Sequence, residues 1–339
     1  MFWRYWLVCL MVVLWIPQTA RAQTGSNHVL QMNGPDCGAR ISDDVMKDLR
    51  SCTIEAWIRW DDYNRYSQPW SFGTASSSIG ISFYRSTPTL QLVASEGNTT
   101  THIASAYNSI KLHQWYHIAA VIDPDTGLRL YINGVLSAEN PNVIANTETI
   151  AGSGPAWLGV SPWEVNGRFN GALDELRIWD QVRTPAQILD GMTLRASGFE
   201  QGLKCVWNFE PENNDTHPKV SKPLDVEGDT KVISTHWDEI IFSPRQWVIH
   251  GFISNEAGRP LPDANIQIQL NDRVLNKVAA NPDGSFSIAI ESQETSKLRL
   301  VAHHLTRGIR TNIELPSNQK YGRVKKDLVL KPALNLEGS

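Results

Sequence analysis

Apolar residues recur at every second position through most of this chain, in short runs bounded by Gly, Pro, Asn, Asp, Ser and Thr. That period belongs to a strand with one face buried. In CTIEAWIRW, Ile54, Ala56 and Ile58 alternate with Thr53, Glu55, Trp57 and Arg59. ISFYR and TLQLVA follow as two further short strands. WYHIAAVIDPDTGLRLYINGVLSAE predicts three consecutive strands, turning at Asp123–Gly127 and again at Asn133-Gly134. Asn-Gly between alternating segments is a strong hairpin signal. TPAQILDGMT breaks the period and predicts a short helix, entered at Thr184 with Pro185 in its first turn. The pattern is therefore all-β: an antiparallel sandwich with one short helix.

From Pro211 to Arg245 the alternation decays into a polar, turn-rich stretch, so residues 213–246 read as a linker or a loosely packed edge. Regular alternation resumes over 247–332, with turns at Glu256–Gly258 and Pro282–Gly284. Six or seven short strands there predict a second, smaller β-sandwich of the seven-stranded type, and residues 333–339 a tail. Two domains suit the length, because about 300 residues exceed one comfortable core.

The N-terminus changes the picture of location. An early Arg4, an apolar run from Leu7 to Ile16 and Ala20-Arg21-Ala22 predict a secretory signal over residues 1–22, cleaved near Ala22. The run is short for a bilayer span. The expectation is a secreted, periplasmic or cell-surface protein with no membrane span. Losing Arg4 and Arg21 leaves 29 basic against 35 acidic residues, a net charge of −6. That mild acidity, without a basic run, argues against nucleic acid as a partner. Cys37, Cys52 and Cys205 remain; export permits a Cys37–Cys52 disulfide, and three buried thiols are the alternative.

HVLQMNG, CTIEAWIRW, QWYHIAAVID, LRLYINGVL and FNGALDELRIWDQVRTPAQI occur in one order. That order resembles laminin-G-like, concanavalin-A-like jelly rolls and their distant pentraxin relatives. GLKCVWNFEPE is similar to a segment that often follows such domains in bacterial exported proteins. The resemblance puts the jelly roll at residues 23–212. VIHGFISNEAGRPLPDANIQI with NPDGSFSI resembles the carboxypeptidase-regulatory-like, transthyretin-like module over 247–332. Both resemblances imply binding, adhesion or spacing, not catalysis.

Within this frame, Asp174 shares a strand face with Leu176 and Ile178 and so points towards the core, where a bare carboxylate is costly. Jelly rolls of this kind often hold calcium at the rim, and the resemblance makes Asn33 and Asp36 the partners of Asp174 around that ion. The alternative is a latch that accepts backbone N–H bonds. The pentraxin double-calcium site is not expected, because LGVSPWEVNGRF holds Glu164 as its only acid and FGTASSSIGIS holds none. Trp60, Tyr63, Tyr66 and Trp70 cluster in WDDYNRYSQPWSFG, and Trp157 and Trp163 flank a Gly- and Pro-containing loop. Such aromatics offer stacking surfaces for sugars or protein partners. Pro neighbours point to Trp70 and Trp163 as exposed, while Asp61, Asp62 and Asn64 would hold hydroxyls.

No Gly-x-Ser-x-Gly, His-Glu-x-x-His or phosphate loop occurs. The Glu-x-Asp-x-x-Glu strand motif of glycosidases built on this fold is missing as well. The expectation is a non-catalytic protein whose jelly roll binds carbohydrate while the second sandwich acts as spacer, with calcium as the candidate cation. Alternatives are an adhesion protein with a cell-surface protein partner, or an accessory part of a larger exported enzyme or sensor.

Overall fold

The computed structural model describes residues 26–332 apart from 98, 105–108, 143–145, 153, 165–166, 212–222, 242–246, 271–272, 291–297, 306 and 313–321. The predicted signal segment, residues 1–22, and the predicted tail, 333–339, lie outside the described residues. Among the described residues no helix is long and apolar enough to cross a membrane.

The first sandwich opens with β1 (Ser26–Met32), β2 (Gly38–Ile41), β3 (Cys52–Trp60), β4 (Trp70–Gly73), β5 (Ser78–Phe83), β6 (Leu90–Glu96) and β7 (Thr99–Ala104). It continues with β8 (Trp115–Asp123), β9 (Gly127–Ile132), β10 (Val135–Asn140), α1 (Thr147–Ala151), β11 (Ala156–Leu158) and β12 (Gly171–Trp179). Then come α2 (Pro185–Gly191), β13 (Leu203–Trp207), β14 (Leu224–Glu227), β15 (Lys231–His236) and α3 (Trp237–Ile241). The first sheet runs β10-β9-β8-β3-β12-β1-β15, with β13 beside β12, and the second runs β14-β2-β11-β4-β5-β6-β7. Ile54, Ala56 and Ile58 face Trp70, Phe72, Ile79, Ile81 and Leu92 across one core.

The local signals act as their chemistry requires. Asn133 and Gly134 both take positive φ, as a two-residue β9–β10 hairpin demands. Helix α2 carries a full capping box: Thr184 Oγ1 accepts from Gln187 N, and Gln187 Oε1 accepts from Thr184 N. The polar stretch after 222 is an edge of the sandwich: β14 pairs with β2 and β15 with β1. Helices α1 and α3 are additional to the one that the pattern predicts.

The second sandwich contains β16 (Trp247–Asn255), β17 (Asn265–Leu270), β18 (Arg273–Ala279), β19 (Ser285–Ile290), β20 (Leu298–His304), β21 (Arg307–Asn312), β22 (Gly322–Lys325) and β23 (Leu328–Pro332). It has one strand more than the seven-stranded type. It is also not purely antiparallel, because β16 runs parallel to β22 and to β23. Its own core is built on Trp247, Ile249, Phe286, Leu300 and Leu330. Polar contacts join the sandwiches: Asp283 accepts from Ala186 N at the start of α2, and Asn281 Oδ1 accepts from Leu136 N.

One irregularity decides where the acids point. Glu175 sits at φ 48°, and the β12–β3 register slips between Asp174 and Arg177. This β-bulge lets Leu173 and Leu176 both enter the core. Asp174 pairs across from Trp57, on the outer face of the first sheet, and Glu175 bonds Arg177 on that same side. The expectation that Asp174 shares a face with Leu176 is therefore corrected: the bulge reverses the phase of the strand.

Candidate functional site

The outer face of the first sheet is itself covered. Trp57, Trp115, Trp237, Ile240 and Ile241 form a second apolar layer there, and Ile188 of α2 packs on Ala119, Val121 and Tyr131. Charged side chains caught under this layer pair among themselves. Arg183 binds Glu55 at 2.6 Å, Arg177 binds Glu175 at 2.6 Å, and Arg195 binds Glu210 at 3.1 Å. Asn27 bridges this layer, donating to Asp174 Oδ2 at 2.8 Å and accepting from Arg195 at 2.8 Å. His117 approaches Glu55, and His28 contacts Glu210 at 2.8 Å. Burial acts to raise the Glu55 carboxyl, but the His117 hydrogen bond and the Arg183 charge outweigh it and hold it below the ordinary carboxylate value. Burial pushes the His117 imidazole down, against the pull of Glu55. Asp174 goes the other way: burial and the neighbouring Glu175 charge push its carboxyl well above the usual range.

Asp174 accepts from Asn27 and from the N–H of Glu175 at 2.7 Å, which occupies both its oxygens. Met32 pairs with Gly171, so Asn33 lies four residues along the strand from the position facing Asp174. At 3.3–3.4 Å per residue that is on the order of 13 Å. Asn33 and Asp36 are exposed, and the loop carrying them is tied by Thr230, whose hydroxyl bonds both Gly38 N and Gly38 O. Asp174, Asn33 and Asp36 are thus not brought together, and this triad does not fit calcium. Among the described residues no group of three or more His, Cys, Asp and Glu is placed to hold a metal. The Cys37–Cys52 disulfide is corrected too: both are free, buried thiols, as is Cys205. The Cys52 thiol is pushed up to about 12 by burial.

The predicted aromatics divide between core and surface. Trp60 and Trp70 are core residues, 0% and 1% exposed, and Trp70 stacks on Phe72. The reading of Trp70 as an exposed stacking surface is corrected, because its β4 position faces inward with Phe72. Tyr63 packs edge-on against Phe83 and donates to Ile110 O at 2.9 Å. Asp61 binds Arg59 and His113, while Asp62 caps Asn64 N and accepts from Asn170. Asn64 accepts from Tyr66 N. These polar groups build the loop after β3 rather than face a ligand. Trp157 lies on the outer face of the second sheet under Arg40, 5.7 Å from its ring.

Tyr66 and Trp163 do come together, on the rim of a groove of about 610 Å³ over the outer face of β5 and β6. Ser82, Gln91, Val93 and Ser95 form its floor, alternating with the inward Ile81, Phe83, Leu92 and Ala94. Gly167 draws the two rim loops together: a Cβ there would meet Tyr66 Cβ at 2.7 Å and Ser161 Cβ at 2.9 Å. Gly80, paired with Val93, leaves room for the Gln68 amide, which an added Cβ would meet at 2.9 Å. Gln68 is fully buried and neither of its amide atoms has a hydrogen-bond partner in the protein. Arg65, Tyr84 and Arg85 complete the wall. The aromatic pattern did not point to these three, nor to the floor. The floor is nevertheless visible in ISFYR and TLQLVA, whose polar positions fall on one face.

Residues 33–189 match the family model described as the concanavalin A-like lectin/glucanases superfamily, Laminin_G_3. No curated protein matches the chain. Among solved structures, a native heptameric SAP-like pentraxin from Limulus polyphemus is 19% identical over 62% of this chain and 95% of that one, with a TM-score of 0.41. Domain 4 of AbnA, a GH43 extracellular arabinanase from Geobacillus stearothermophilus, in complex with arabinotriose, is 19% identical over 48% of this chain and 86% of that one, with a TM-score of 0.37. The CBM40 of Ruminococcus gnavus IT-sialidase, bound to alpha2,3 sialyllactose, is 13% identical over 49% and 96%, with a TM-score of 0.41. The chain thus carries, over residues 33–189, a match to the concanavalin A-like lectin/glucanases superfamily, followed by a second β-sandwich.

Proposed function

We propose that this protein is a non-catalytic carbohydrate-binding protein and that the groove over β5 and β6 is its glycan site. The observation that carries this reading is the groove itself, with Tyr66 and Trp163 on one rim above a floor of Ser82, Gln91 and Ser95. Aromatic faces stack on the apolar faces of sugar rings, and hydroxyl and amide groups take their hydroxyls. Hydrolysis by the usual mechanism needs two carboxyl groups flanking the glycosidic bond. The described lining residues include none. Asp174 and Glu175, which the bulge does put on one side, are 0% and 2% exposed beneath the apolar layer that covers the outer face of the first sheet. The second sandwich serves as a spacer, a role supported by its polar contacts to α2 and to Leu136.

Glycan-array binding followed by titration calorimetry tests the reading. Trp163→Ala and Tyr66→Ala should each weaken binding about tenfold or more, as loss of an aromatic anchor does, with no change in melting temperature. Binding that survives both substitutions would exclude this groove.

A further inference from the structure

We infer that the groove selects an anionic glycan, one carrying a carboxylate or sulfate that Arg65 and Arg85 receive. This deepens the preceding proposal and rests on the groove being the glycan site. The chain as a whole is acidic, with 31 basic against 35 acidic residues. The described groove lining runs against that average, holding two arginines and no carboxylate. Buried or half-buried arginines elsewhere in the first sandwich bind acids: Arg59, Arg177, Arg183 and Arg195 each hold one. Arg65 and Arg85 are exposed, and neither has a carboxylate partner among the described residues.

Both guanidiniums are nonetheless held in place. Arg65 lies over the Tyr66 ring at 4.8 Å and Arg85 over the Tyr84 ring at 5.1 Å. Stacking fixes the plane of a guanidinium while leaving its N–H edge free, the edge that binds planar oxyanions in pairs. The β5–β6 turn adds a second sign of purpose. Arg85 and Ser86 both take positive φ, 48° and 58°, at positions where glycine would be unstrained. Strained non-glycine backbone tends to persist where a side chain is needed. The turn projects Arg85 to the groove wall opposite a floor of neutral hydroxyl and amide groups. A sugar ring stacked on Tyr66 or Trp163 would bring a ring acid substituent within the reach of these two forks.

The test uses the full mature chain and three probes of matched length: an oligogalacturonate, a sulfated galactan oligosaccharide and a neutral galactan oligosaccharide. Calorimetric titration at low and raised sodium chloride should show an acidic probe binding at least tenfold more tightly than the neutral one, with the gap closing as salt rises. Preference between the first two probes tells a carboxylate from a sulfate ligand. Arg65→Ala and Arg85→Ala should each cost about tenfold towards the acidic probe, in line with loss of a charge-assisted hydrogen bond. Both side chains are exposed, so unchanged melting curves will confirm that folding is intact. Equal binding of neutral and acidic probes, abolished by Trp163→Ala and indifferent to both arginine variants, would overturn the anionic preference and keep the glycan site. Acidic binding that neither arginine variant weakens would also overturn it. No binding across these probes and a neutral glycan array would remove both proposals.

Discussion

Asp174 shows how much one carboxyl depends on its company. Under the outer cover lie four carboxyls, Glu55, Asp174, Glu175 and Glu210, and three guanidiniums, Arg177, Arg183 and Arg195. The acid in surplus is the one without a guanidinium of its own, and it is also the one whose proton affinity rises. An unfolded aspartate titrates near 3.9. Above that pH the unfolded chain releases a proton that native Asp174 retains, so this group lowers stability as pH rises, until its raised native value is passed. Asp174→Asn cannot titrate. Its stability relative to wild type, from urea unfolding at a series of pH values, should therefore improve from acid towards neutral pH. A difference that stays flat with pH would mean that Asp174 is charged in the native state. The period-two pattern put Asp174 on the core face with Leu176, whereas it is buried under the outer apolar layer. That pattern could not show the bulge at Glu175, because αL backbone at a single Glu leaves no mark on the alternation of its neighbours.

At the scale of elements, the chain's short-range chemistry is dependable. Asn133-Gly134 makes the hairpin it signals, and Thr184-Pro185 opens a helix with a complete capping box. Both are local: the turn needs two residues that tolerate positive φ, and the cap needs one hydroxyl and one amide three residues apart. Thr184→Ala should cost about 1 kcal/mol in the denaturant stability of the first sandwich, since α2 holds Ile188 and Leu189 down on the sheet. No loss would mean that packing alone fixes α2. Strands β14 and β15 were harder to read. Their exposed, mixed-polarity sequences resemble a connection, and only pairing to β2 and β1 makes them strands. The same limit applied to Trp60 and Trp70, since composition marks a tryptophan as valuable without saying which side of a strand it occupies.

Across the whole molecule, the two cores share no residue, and among the described residues polar contacts join the sandwiches, Leu136 to Asn281, Ala186 to Asp283 and Asp190 to Lys325. Polar junctions of this kind couple domains weakly. Calorimetry should resolve two unfolding transitions. Trp70→Ala should remove about 3–5 kcal/mol from the first sandwich alone, and a single cooperative transition displaced as a unit would refute that independence. The sequence by itself determined the all-β class, the division into two sandwiches, the main hairpin and the capped helix. Each of those follows from neighbours a few positions apart. Tertiary structure alone decided that Trp70 is core and Tyr66 is rim, that Asn33 and Asp36 lie far from Asp174, and that Arg65, Arg85 and Trp163 line one groove. Those facts depend on strand register, on a single-residue bulge and on the meeting of loops some hundred residues apart. No local pattern encodes such meetings, because they arise only when the sheets pack.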